Sequence, residues 1–253
     1  MNIFDLSNKT ALVTGASSGL GWRFCQALAS AGAHVIAAAR RTEKLDELVN
    51  SIKQSGGSAE SLELDVRSFE QVKKQISSLN QPIDICINNA AIAKLTSVFD
   101  DDQNNFESVM QTNVMGLWYV TKVVATAMKN QKIEGSIINI GSVNGAAVPA
   151  ANGAAYNASK AAIMHMTKGL AGDLSPHKIR INAISPGFFP TDMSKGALEK
   201  LGDKITSRIP LNFLPDLSDL DGTILYLASN KASRYVTGSC ITVDGGISWG
   251  GLS

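Results

Sequence analysis

The sequence holds little of what staples, charges or anchors a protein. Only three of its 253 residues are cysteines, Cys25, Cys86 and Cys240, with no C-x-x-C pair among them. That excludes a disulfide framework and predicts buried, reduced thiols. Lys and Arg number 23 against 22 Asp and Glu, a formal net charge of +1, and no long basic run occurs. The electrostatic footprint of a nucleic-acid binder is therefore missing, and small molecules are the expected partners. His34, His165 and His177 stand apart without matching carboxylate or cysteine spacing, so no metal site is expected. No window holds 18 uninterrupted apolar residues, and the first ten residues lack both a basic start and a long apolar run. Neither a membrane span nor a secretory signal is expected, which predicts a cytoplasmic protein. Repeats, low-complexity tracts and linkers are also missing, so one domain is expected over residues 1–253.

What is present is a regular alternation. With 44% hydrophobic and 18% charged residues, the chain can bury a sizeable core. Seven short apolar runs read as strands: residues 11–13, 35–37, 61–64, 83–87, 136–140, 179–184 and 240–243. Between them, residues 22–31, 43–54, 69–79, 106–128, 154–174 and 217–228 carry helical spacing or strong helix formers. Repeated βαβ units of this kind predict an α/β, Rossmann-type doubly wound fold, a seven-stranded parallel sheet flanked by helices on both faces. Gly32 and the Gly56-Gly57 pair follow the first two helices, and Pro176 closes the fifth. One stretch breaks the pattern. Residues 186–215 hold Pro186, Pro190, Pro210 and Pro215, cannot form a single regular helix, and follow the sixth strand, where a loop lines the ligand crevice of an open sheet. This is the expected substrate lid.

Three constellations carry chemistry. Thr14-Gly15-Ala16-Ser17-Ser18-Gly19-Leu20-Gly21 links the first strand to the first helix, and such a turn lets backbone amides approach a pyrophosphate at a helix N-terminus. Tyr156 and Lys160 lie four residues apart, hence on one helix face, where an ammonium beside a phenol makes it acidic. Ser142 follows the fifth strand, at the same end of the sheet. At the end of the second strand, the acidic residue that receives the ribose hydroxyls of NAD is replaced by Ala39, and Arg40 follows. A guanidinium there pairs with a 2′-phosphate, so NADP(H) is the expected cofactor and NAD(H) the alternative.

In this order, with Asp65, Asn88-Asn89-Ala90, Asn113, Pro186-Gly187 and Asp244-Gly245-Gly246, these residues resemble the short-chain dehydrogenases/reductases over nearly the whole chain. One departure is Ala91, where that family more often has glycine. The resemblance implies that Tyr156 is the general acid of reduction and the base of oxidation, and that Ser142 hydrogen-bonds the substrate oxygen. It implies further that Lys160 holds the nicotinamide ribose and that Asn113 holds a water in the proton relay, in a locally kinked helix. Gly15, Ser17, Ser18, Gly19, Leu20, Gly21, Asn89, Ala90, Pro186 and Gly187 are its cofactor residues, with Asp65 receiving the adenine amino group and Val66 against the ring. A homo-oligomer, tetramer or dimer, assembled through the long fourth and fifth helices near Trp118, is implied as well.

Residues after the fifth and sixth strands, Val143, Asn144, Ala150, Phe188, Phe189, Met193 and Phe213, are expected to wall a mostly apolar substrate pocket. Phe188 and Phe189 serve equally well as anchors of the lid. The leading expectation is an NADPH-dependent reductase of a ketone, such as a 3-oxoacyl thioester. A secondary-alcohol or polyol dehydrogenase, and a non-catalytic dinucleotide-binding regulator, are the alternatives.

Overall fold

In the computed structural model, which describes residues 2–249, one parallel sheet runs in the order β3-β2-β1-β4-β5-β6-β7. The domain expected over residues 1–253 extends past these at Met1 and residues 250–253, which lie outside the described residues. The strands are β1 (Thr10–Thr14), β2 (His34–Ala39), β3 (Ser58–Glu63), β4 (Ile85–Asn88), β5 (Ser136–Ile140), β6 (Arg180–Pro186) and β7 (Cys240–Val243). All residues of β1, β4, β5 and β6 are buried, as strands covered on both faces must be. β3, at the edge, buries only Ala59 and leaves its other residues exposed or half-buried, so its polar first half escapes a search for apolar runs.

The helices are α1 (Gly19–Ser30), α2 (Thr42–Gln54), α3 (Phe69–Ser77), α4 (Gln103–Met110), α5 (Leu117–Gln131), α6 (Ala154–Leu174), α7 (Lys195–Thr206), α8 (Asp221–Ala228) and α9 (Asn230–Ser233). One core layer packs α1, α2 and α8 on the sheet around Phe24, Leu28, Leu45, Leu48 and Ile224. The opposite layer packs α3, α5 and α6 around Val72, Val120, Val124, Met128 and Leu174. β1 and β4 are adjacent, so the strand order reverses between them and opens a crevice at the carboxyl ends.

Three elements depart from the expected ones. The fourth helix is not continuous: α4 and α5 are joined by a π-helical turn, Gln111–Gly116, that contains Asn113. This is the kink expected at Asn113, and its cause is visible, because Asn113 reaches out of the helix to the backbone of Ile92. The lid contains a helix, α7, between Pro190 and Pro210, and Ser194 at its start donates to the Phe189 carbonyl at 2.6 Å. The short α9 is capped by Ser229, whose Oγ accepts from Ala232 N–H.

Candidate active site

A cleft of about 490 Å³ lies at the carboxyl ends of the strands, and it gathers almost every residue the sequence marks for cofactor or catalysis. Its floor is the glycine turn. Gly15 has φ +67°, and a Cβ there would lie 2.7 Å from Ala90 Cα. At Gly21 a Cβ would lie 2.3 Å from the Gly15 carbonyl oxygen, so neither position takes a side chain without moving backbone. Gly21 thus shapes the turn from behind and does not line the cleft. Asn89 ties the turn down, donating from Nδ2 to the carbonyls of Thr14 and Gly15 at 3.0 and 3.1 Å. Ser18, the N-cap residue of α1, makes no side-chain cap, which leaves the first-turn N–H groups of α1 for an anion.

At the adenosine end the structure shifts the weight from Arg40 to its neighbour. Both line the cleft and both are exposed, so hydrogen bonding rather than burial separates them. It is Arg41 that donates to Ser17 Oγ at 2.9 and 3.2 Å and to Ser18 Oγ at 2.9 Å. The guanidinium is held against the glycine turn, and no spacing rule in the sequence announces that contact. Asp65 lines the cleft too, yet both its oxygens accept from the Arg67 fork, which holds the carboxyl below its ordinary range. Arg67, also unmarked in the sequence, is the third arginine of this end.

Ser142, Tyr156 and Lys160 meet in the middle of the cleft. Ser142 ends the β5 segment and caps a short 3-10 turn: its hydroxyl accepts from Asn144 N–H and donates to Asn144 Oδ1, both at 3.1 Å. Lys160 is 3% exposed, and its Nζ lies 5.6 Å from the Tyr156 ring centroid. That ammonium was expected to make the phenol acidic. Instead, Nζ donates to the Ile140 carbonyl at 2.8 Å. Burial pushes the Tyr156 phenol above its ordinary range, with the Ser142 hydroxyl offsetting part of the rise. Burial also pushes Lys160 down to about 8. Desolvation is the larger effect on both groups, and one of the three N–H donors of the ammonium goes to a carbonyl.

Asn113 is fully buried and does not line the cleft. Its Oδ1 accepts from Ile92 N–H at 2.8 Å, and its Nδ2 donates to the Ile92 carbonyl and to Ser159 Oγ, both at 3.0 Å. Ser159 in turn donates to the Tyr156 carbonyl at 2.7 Å. Both N–H groups of the side chain are used in these contacts. It fastens the loop after β4 to the first turn of α6, a link through Ser159 that helical spacing from Tyr156 could have suggested.

On the substrate side, Asn144, Ala150, Phe188 and Met193 line the cleft as expected, joined by Ile92 and Leu95 from the loop after β4. Val143 does not: it is 1% exposed and turned into the protein, since the 3-10 turn after Ser142 reverses its direction. Phe213 belongs to a second cavity next to the first. Phe189 is 4% exposed and packs in the core layer, so it is an anchor of the lid, whereas Phe188 is half-buried and free of that layer. Among the described residues no cluster of His, Cys, Asp or Glu suits a metal ion, and no helix is long and apolar enough to cross a membrane.

Comparison with known proteins agrees with this geometry. A family model described as enoyl-(acyl carrier protein) reductase matches residues 15–248. The 3-oxoacyl-(acyl-carrier-protein) reductase of Thermotoga maritima is 36% identical over 246 residues, covering 96% of this chain and 98% of that protein. A short-chain type dehydrogenase/reductase from Mycobacterium marinum superposes with a TM-score of 0.93 at 37% identity, covering 97% of this chain and 98% of the other. A gluconate 5-dehydrogenase from Burkholderia cenocepacia, solved with NADP and tartrate, gives a TM-score of 0.93 at 30% identity and covers 97% of each chain. The glycine turn, the Ser142–Tyr156–Lys160 cluster and the seven-stranded parallel sheet are thus met together in a chain that belongs to the oxidoreductase family of short-chain dehydrogenases/reductases.

Proposed function

We propose that this chain is an NADPH-dependent reductase of a ketone, with cofactor and substrate sites carried on a single domain. The observation that carries the reading is the convergence of Ser142, Tyr156 and Lys160 on a cleft whose other end is the glycine turn and its arginines. The residues present suit a 2′-phosphorylated dinucleotide: the glycine turn takes the pyrophosphate, and Arg41 on Ser17 and Ser18, with Arg40 and Arg67 beside it, takes the 2′-phosphate. Asn89, Ala90, Pro186 and Gly187 border the path between the two ends. When bound, NADPH supplies the hydride for the carbonyl carbon.

The protein's own share is the proton. Because burial raises its pKa, the Tyr156 phenol is protonated at neutral pH, ready to donate to the carbonyl oxygen. The Ser142 hydroxyl, turned away from Asn144, donates a second hydrogen bond to that oxygen as its negative charge grows. Lys160, with two N–H donors left beside its bond to Ile140, would hold the nicotinamide ribose. Asn113 acts as a positioning residue through Ser159.

Besides Tyr156 and Lys160, the one ionisable side chain lining the substrate end is Asp192, among the described residues. Nothing there neutralises a carboxylate, which favours a neutral ketone such as a 3-oxoacyl thioester over a sugar acid. Exposed Phe106 and Met115 with half-buried Trp118 on the α4–α5 side support a homo-oligomer. The test is NADPH oxidation with a panel of ketones, 3-oxoacyl thioesters and sugar acids, alongside Tyr156→Phe. That substitution is expected to leave NADPH binding intact and to lower turnover by about 10²–10⁴-fold. Turnover near the wild-type rate refutes the assignment, and binding of NADPH without any turnover by the wild type points to a regulator.

A further inference from the structure

Beside the catalytic cleft lies a second cavity of about 240 Å³, bounded by the segment after β6, the chain after α7 and the end of β7. Phe188 and Phe189 line both cavities. The two phenylalanines are not equivalent. Phe189 is held, packed in the core layer and fixed through its carbonyl by Ser194. Phe188 is half-buried and belongs to neither core layer, so it is the less firmly packed half of the partition.

Beyond Phe188 the walls are Ile209, Leu211, Phe213, Pro215 and Val243. Two carboxylates adjoin them, and neither reaches for a ligand. Asp244 accepts from Gly246 N–H at 2.8 Å and Ser248 N–H at 2.9 Å, and Asp219 accepts from Asp216 N–H at 3.0 Å. At the rim, Leu211 is 62% and Phe213 52% exposed. Folding alone does not call for two large apolar side chains in water at the mouth of an apolar cavity.

We propose that this chamber is a subsite for an apolar alkyl or aryl arm of the ketone substrate, entered from the cleft past Phe188. The proposal rests on the reductase reading above and narrows its substrate class: a neutral carbonyl compound with a hydrophobic tail. Phe188 and Phe189 alone separate the chamber from the site of reaction, and its mostly apolar walls suit a hydrocarbon rather than a sugar chain.

The test is a series of 3-oxoacyl N-acetylcysteamine thioesters of increasing chain length, reduced with NADPH by the wild type, Leu211→Glu and Leu211→Phe. Each added methylene that enters the chamber is expected to raise wild-type kcat/KM about fourfold until the chamber is full. Leu211→Glu should flatten the climb while leaving the shortest substrate within twofold, and Leu211→Phe should keep it. A flat wild-type series, or a climb that Leu211→Glu leaves unchanged, overturns the chamber. So does a fall in solution mass of Leu211→Glu with the climb intact, which makes the rim a subunit contact. Calorimetric titration with 1-decanol, which does not depend on turnover, separates this proposal from the reductase reading. Tighter binding by wild type than by Leu211→Glu supports the chamber even if no thioester is reduced, and equal binding overturns it.

Discussion

Removing the charge of Lys160 should make the free protein more stable while abolishing its activity. The ammonium is buried, and burial lowers its pKa from 10.5 to about 8. The folded value lies below the unfolded one, so between those limits the unfolded chain binds the extra proton and wild-type stability rises with pH. Below pH 8 the fold carries the full cost of the buried charge. A shift of that size corresponds to about 3 kcal/mol at pH 7, falling to about 2 at pH 9 and about 1 at pH 10. Lys160→Met keeps the length of the side chain without the charge. Urea unfolding of both proteins at the three pH values, in the same buffer and without cofactor, should show the variant ahead at pH 7 and the lead shrinking towards pH 10. Groups that titrate in both proteins cancel in the difference. A variant less stable than wild type at pH 7, or a difference that does not change with pH, refutes the claim that desolvation dominates. It would mean that the bond to the Ile140 carbonyl makes the ammonium a net stabiliser.

Arg41→Ala should weaken NADPH binding by about 10- to 100-fold, the loss of one charge-assisted contact, with NADH nearly unchanged. Arg40→Ala, which removes a side chain not held on the glycine turn, should do less, and fluorescence titration of both cofactors ranks the two. Equal effects would return the assignment to Arg40. Gly21→Ala forces a Cβ to within 2.3 Å of the Gly15 carbonyl oxygen, so thermal melting should register a loss of about 1–3 kcal/mol together with weaker NADPH binding. An unshifted melting curve would mean the turn yields. Light scattering on the purified chain should give a dimer or tetramer mass, and a monomer contradicts the oligomer proposed here.

Local rules made much of this molecule readable from its sequence. Short apolar runs gave the seven strands, because parallel strands buried on both faces must be apolar, and helical spacing gave the helices around them. Glycines marked the turn because no other residue fits there, and Tyr156 and Lys160 shared a face because a helix turns every 3.6 residues. Where propensity failed, a tertiary contact had taken over. Ile92 draws Asn113 out of a continuous helix into a π turn, and Ser194 pins the start of α7 within a proline-rich lid. Edge strand β3 began in polar residues that no apolar run reveals.

The sequence by itself determined the fold class and which residues stand at the carboxyl ends of the strands, since both follow from order and spacing along the chain. Tertiary structure alone decided the electrostatics: that Lys160 faces a carbonyl, that burial raises the pKa of Tyr156, and that Arg41 rather than Arg40 is held on the glycine turn. It also decided that Phe189 is fixed while Phe188 stands between two cavities. Desolvation and hydrogen-bond partners depend on which distant segments surround a group, and residues 24 apart in the chain, such as Ser17 and Arg41, meet only after the sheet has formed.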